Sequence, residues 1–199
     1  MIVIKIKGIK ISLDIGFLAV IVILMLGGGK YYGLTFISCM IHEIGHLIGI
    51  LLSKEGIKAI SFNIFGITIF PYSKKISSFF SDICILIAGP FANIVTAFFS
   101  IYLSGGSINI FSVINLVLGI FNLLPFSKLD GGCILILLAE SCMKDDKKKY
   151  FTNMICFINI FFLMILSVLY LKYILSNLSL VIMIFYLFFT EIITMRNLK

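Results

Sequence analysis

Both histidines of the chain fall in one five-residue stretch, His42-Glu43-Ile44-Gly45-His46. Four residues along a helix bring two imidazoles to the same face, one turn apart, where both can bind one zinc ion. The residue after the first histidine is a glutamate, the general base of H-E-x-x-H zinc hydrolases. No other charge lies between Tyr31 and Ser53. Ionisable groups in an apolar span are expensive in lipid and mark functional sites. The pattern points to metal-assisted hydrolysis inside a membrane. The plainer alternative, a polar cluster that glues helices together, does not need two histidines and a glutamate at this spacing.

A catalytic zinc takes three protein ligands and leaves a fourth position to water. Nine acids can compete for the third place. Asp145 and Asp146 lie in a lysine-rich loop, and Glu55, Asp82 and Glu191 fall near segment ends. Asp14 opens an apolar run as a cap or interfacial anchor. Asp130 differs, because it follows Asn122-Leu-Leu-Pro125-Phe-Ser-Lys-Leu and precedes Gly131-Gly132. Pro125 cannot continue a helix, and the glycines admit backbone conformations that other residues resist. A break here would turn a carboxylate toward the histidine helix and let Asn122 present its amide to the same cavity. Outside a membrane the same residues would read as an ordinary turn. Glu140 is the other candidate third ligand.

The elements that must hold these groups are apolar. The 199 residues are 61% hydrophobic and 13% charged, with a mean hydropathy of +1.18. A soluble domain is about half apolar and a quarter charged. Apolar segments run over 13–26, 32–52, 79–103, 111–124, 151–171 and 174–194. A straight span takes ~20 apolar residues. The first and fourth segments are short, and the fourth, followed by apolar Cys133–Ala139, reads as a broken helix. The fold class expected is an all-α polytopic membrane protein of about six helices, forming a single domain over 1–199. A cleaved signal peptide is not expected, since Gly27-Gly28-Gly29 is a poor cleavage site and cutting there would discard the first span.

With the N-terminus inside, thirteen lysines and arginines fall on the cytoplasmic side against two outside, which supports six spans with both ends in the cytoplasm. The net charge of +7 does not imply nucleic acid, because the basic residues flank apolar runs instead of forming one patch. Cys39, Cys84, Cys133, Cys142 and Cys156 form no C-x-x-C pair and read as small, reduced core residues. Ile60–Phe70 alternates with period two and suggests a short membrane-associated hairpin after the second span.

Three motifs together resemble the site-2 proteases, intramembrane zinc metalloproteases that cleave membrane-tethered proteins: His42-Glu43-x-x-His46, Gly89-Pro90-x-x-Asn93, and Asn122-x-x-Pro125-x4-Asp130-Gly131. Their order covers essentially the whole chain. The resemblance implies that His42, His46 and Asp130 bind one Zn2+, that Glu43 is the catalytic acid/base, and that Asn122 positions or polarises the substrate. It leaves Asn93 a structural part. It implies that the hairpin pairs with an unwound substrate strand. The implied partners are a single-span or membrane-associated protein substrate and the lipid bilayer, with no nucleic acid and with room for a membrane inhibitor or regulatory partner. The implied location is the bacterial cell membrane. The compact layout is similar to the sporulation proteases that activate a late sigma factor, although the CBS domain of that subgroup is not expected within these 199 residues. The competing classes are a zinc or divalent metal transporter, which needs several ligand sets across the bilayer, and a catalytically silent scaffold, which needs no Glu43.

Overall fold

The computed structural model describes residues 2–6, 9–13, 30–53, 57–63, 66–71, 79–173 and 178–197. Residues 14–29, where most of the first span was expected, lie outside these. The chain divides into two compact units, Met1–Phe121 and Asn122–Lys199.

In the first unit the long helices are α1, Lys30–Leu52, and α2, Phe79–Leu103. At 1.5 Å per residue each is long enough for a hydrocarbon core of ~30 Å. They approach closely because their facing residues are small. A Cβ added at Gly45 would lie 2.5 Å from the Ala88 carbonyl oxygen and 2.8 Å from Ala92 Cβ. A Cβ at Gly49 would press on Ala88 and Ile85 at 3.1 Å. Small residues on facing helices are how membrane helices bring their backbones together. Pro90 lies inside α2 and is buried. α2 ends at Ser104-Gly105-Gly106, where both glycines have positive φ (66° and 84°). The third helix, α3, runs Ile110–Asn122.

A four-stranded sheet accompanies these helices. β1 (Ile2–Ile6), β2 (Ile9–Leu13), β3 (Ile57–Asn63) and β4 (Gly66–Pro71) are ordered β1-β2-β3-β4. β1 and β2 are antiparallel, β2 and β3 parallel, and β3 and β4 antiparallel. The described residues of the stretch Ile60–Phe70, 60–63 and 66–70, fall within β3 and β4, with Ile60 opposite Ile69 and Phe62 opposite Ile67. The fold class is therefore not purely helical with one small hairpin. The first two strands carry their own alternating pattern, Ile2-Val-Ile-Lys-Ile and Ile9-Lys-Ile-Ser-Leu, in residues otherwise assigned only as a basic flank.

The second unit holds α4, Asp130–Cys142; α5, Asp145–Tyr173; and α6, Leu178–Asn197. Among the described residues six helices are present, and three are long and apolar enough to cross a membrane: Tyr31–Leu52, Phe79–Leu103 and Asp146–Val168. The expected fourth segment is two helices of 13 residues, α3 and α4, with a break between. Each is about 20 Å long, too short to span alone. Large apolar side chains on α2 and α5 point outward, among them Phe80, Phe98, Phe157 and Phe161. Such surfaces suit lipid and not water. All five cysteines are free; only Cys156 is buried, and Cys39, Cys84 and Cys142 are exposed, so most are not core residues.

Candidate metal centre

His42 and His46 sit on α1 with their rings edge to face, centroids 4.7 Å apart. Each ring has one nitrogen committed to the protein. His46 Nδ1 donates to the Ile85 carbonyl oxygen at 2.8 Å. His42 Nδ1 donates to Asn93 Oδ1 at 3.2 Å. A hydrogen bond at one ring nitrogen fixes which nitrogen is left to bind a metal. The two remaining nitrogens, both Nε2, lie 3.1 Å apart.

With both Nδ1 atoms protonated, neutral rings would aim two lone pairs at each other. A metal ion between them would be bound by both. Two imidazole nitrogens on one tetrahedral zinc, with Zn–N near 2.0–2.1 Å, stand ~3.3 Å apart. The 3.1 Å separation is close to that, so the donor pair fits zinc. His42 is buried and His46 half-buried. Gly89 makes room for the second ring, since a Cβ there would collide with the His46 imidazole. Glu43 follows His42 on the same helix and is half-buried.

Asn93 was assigned only a structural part, and the structure places it directly behind a histidine. It is fully buried. The signal that could have found it is Gly89-Pro90-x-x-Asn93 itself, whose Gly89 and Asn93 lie one turn apart on α2, so that one clears His46 and the other meets His42.

In the second unit Asp130 occupies the first turn of α4, where the backbone N–H groups have no intrahelical acceptor and the helix dipole favours negative charge. The residue before it, Leu129, caps with extended backbone and no side-chain hydrogen bond. The break preceding it wraps tightly over the start of α4. Cβ atoms at Gly131 and Gly132 would collide with the carbonyl groups of Leu123 and Phe126, so only glycine fits there. The break is also tied to α5 and α6. Asn159 Nδ2 donates to the Pro125 carbonyl oxygen at 2.7 Å, and the Ser127 N–H donates to Glu191 Oε1 at 2.7 Å. Ser127 Oγ and Thr194 Oγ1 share a hydrogen bond of 3.0 Å. Glu191 is therefore not a segment-end acid. It is fully buried, six residues inside α6, and it anchors the backbone beside the proposed ligand.

Glu140, the alternative third ligand, is exposed and pairs with Lys148 Nζ at 2.7 Å. It stands ten residues along α4 from Asp130, or ~15 Å. Asn122 is the last residue of α3.

The comparisons with known proteins agree with this chemistry. The profile of peptidase family M50 matches residues 105–166. A zinc metalloprotease of Methanocaldococcus jannaschii is 32% identical over 148 residues, covering 66% of this chain and 43% of that protein. The solved structure of a site-2 protease from the same organism aligns with a TM-score of 0.62 at 25% identity, covering 96% of this chain and 93% of the other. The chain is thus similar to peptidase family M50 over about a third of its length and to a site-2 protease in fold. It spans less than half the length of the curated relative. Zinc is the cofactor that the histidine pair fits.

Proposed function

We propose that this chain is an intramembrane zinc metalloprotease that hydrolyses a peptide bond of a membrane-tethered protein. The observation that carries the reading is the convergence of two Nε2 lone pairs at 3.1 Å, with both Nδ1 atoms satisfied, beside a glutamate on the same apolar helix. His42, His46 and Asp130 would hold the metal, and His42 and His46 would do so through Nε2. A bound zinc supplies a Lewis acid that makes water nucleophilic near neutral pH. Glu43 accepts the proton of the attacking water and delivers it to the leaving amine. Asn122 aims its amide at the scissile carbonyl and stabilises the developing negative oxygen.

The substrate class follows from the setting. A transmembrane helix hides its scissile amides in its own hydrogen bonds. It must unwind near the site, and an edge strand can hold the unwound segment extended. β4 lies at one edge of the sheet and would accept that strand. His42 lies about ten residues from one end of α1, or ~15 Å deep, so the site takes water through a polar cavity from that side. The thirteen-to-two charge bias supports a multi-pass protein with both termini in the cytoplasm. The regulated cleavage of a membrane-bound transcription-factor precursor, as in sporulation, is the physiological role that the compact layout supports.

Co-expression with candidate single-span regulatory proteins tests the reading. Wild type releases a truncated product. Glu43→Gln keeps its zinc and loses cleavage by about 10²–10⁴-fold, the usual contribution of a general acid–base group. A Glu43→Gln protein that cleaves as wild type does would refute the mechanism.

A further inference from the structure

We propose that Asn115 on α3, acting with Ser38 on α1, is a positioning residue that fixes the tautomer of His42. The inference rests on the metal-site reading above and deepens it. It starts from three backbone carbonyl oxygens, which can only accept hydrogen bonds. Ser38 Oγ donates to the Leu34 carbonyl at 2.9 Å. Its hydroxyl proton is then used, and the oxygen accepts from Asn115 Nδ2 at 2.9 Å. Asn115 Nδ2 gives its second proton to the Phe111 carbonyl at 2.9 Å. Both amide protons of Asn115 are now spent, so Oδ1 accepts from Asn93 Nδ2 at 3.2 Å. Asn93 gives its other proton to the Ser38 carbonyl at 3.1 Å. Only Asn93 Oδ1 remains to face His42.

Each step follows from the donor and acceptor inventory of the groups involved. Ser38, Asn93 and Asn115 are fully buried, so no water competes for these sites, and an unmet donor there carries its full desolvation cost. The relay therefore forces His42 to carry its proton on Nδ1 and to keep Nε2 bare for the metal. Without Asn115, only the Ser38 carbonyl still orients the Asn93 amide, so the turned-over form costs less and becomes populated. Its NH2 then meets His42 Nδ1, the imidazole proton moves to Nε2, and the ligand atom is blocked. His46 has no part in this relay, because its Nδ1 is held by a backbone carbonyl that cannot flip.

Because the chain has only two histidines, ring-15N histidine labelling of the purified, metal-free full chain at mildly alkaline pH gives four ring-nitrogen signals to assign. Wild type should show both rings protonated at Nδ1. Asn115→Ala should move His42, and not His46, toward the Nε2–H tautomer. It should also raise the Kd for zinc, measured by chelator competition, by about tenfold, at the low end of the loss seen for outer-shell partners. Ser38→Ala, a gentler change that suits a helix, should shift His42 the same way to a smaller extent. The proposal is overturned if wild-type His42 carries its proton on Nε2. It is equally overturned if Ser38→Ala and any Asn115 variant that folds leave His42 as in wild type, or if both rings change together. The tautomer is read without metal and without substrate. A chain that cleaves nothing would count against the protease reading and leave the relay standing on its own signals.

Discussion

The two halves of the proposed metal centre are built by opposite strategies. In the first unit the ligands stand on an unbroken helix, and neutral groups orient them: a backbone carbonyl for His46 and a buried amide for His42. In the second unit the ligand stands where a helix has been interrupted. The break before it is tied by an amide from α5 and by a buried carboxylate and a hydroxyl from α6. A regular helix fixes the positions of its side chains through its own hydrogen bonds, so only ring rotation and protonation remain to be set. A broken helix leaves N–H and C=O groups unmet, which are tolerated at membrane depth only where protein satisfies them. The histidine side therefore spends its outer contacts on tautomer, and the aspartate side spends them on backbone.

The same chemical change, glycine to alanine, should separate the two strategies and gives the largest expected effects. At Gly132 the added methyl meets the backbone of Phe126 and Ser127, which cannot give without reshaping the break. Gly132→Ala should lower stability by about 1–3 kcal/mol or more, the range for overpacked sites. At Gly89 the methyl meets the His46 ring, a side chain that can swing. Gly89→Ala should leave the fold nearly intact and weaken zinc binding by about 10–100-fold, as the loss of ligand orientation does elsewhere. Thermal unfolding in detergent and zinc titration distinguish the two. If Gly89→Ala instead unfolded the protein with zinc affinity unchanged, the contrast between the halves would be lost.

A smaller effect tests the aspartate side alone. Glu191→Ala leaves the Ser127 N–H buried without its acceptor, a cost of about 1–3 kcal/mol. Glu191→Gln keeps an oxygen for that N–H and should recover most of the loss. Chemical or thermal denaturation of both variants provides the comparison. An alanine variant as stable as wild type would mean that the buried carboxylate does not hold the break.

What could be read from the chain follows the same division. The histidine pair is legible because its geometry is local: positions four apart share a helix face whatever surrounds them. The break before Asp130 is legible because a proline precedes it and paired glycines follow it. The part played by Asn93 depends on which faces of α1 and α2 meet, and Asn115 adds a third helix, so neither follows from spacing within one segment. Hydropathy alone sets Glu191 near a segment end, whereas α6 continues to Asn197 and buries it. The first two strands were overlooked for a related reason. Their lysines read as a basic flank, which masks the alternation of Ile2, Ile4 and Ile6 around Val3 and Lys5. The three helices among the described residues that are long and apolar enough to cross a membrane fall on expected segments, the kind of element that composition reads best.

The smallest expected effect decides between the two carboxylates of α4. Glu140 faces outward with Lys148 at 2.7 Å, and its side chain is 46% exposed. Exposed ion pairs contribute about 0–1 kcal/mol, so Glu140→Gln should change stability little and should leave zinc content at the wild-type level. Asp130→Asn should lose the metal, because an amide is a much poorer ligand than a carboxylate and carries no charge to offset the ion. Elemental analysis of the two purified variants side by side reads the difference directly. The reverse result, metal lost with Glu140→Gln and kept with Asp130→Asn, would move the third ligand ten residues along the helix. The glycine-packed break, with its anchors on Asn159 and Glu191, would then have no part in the metal site.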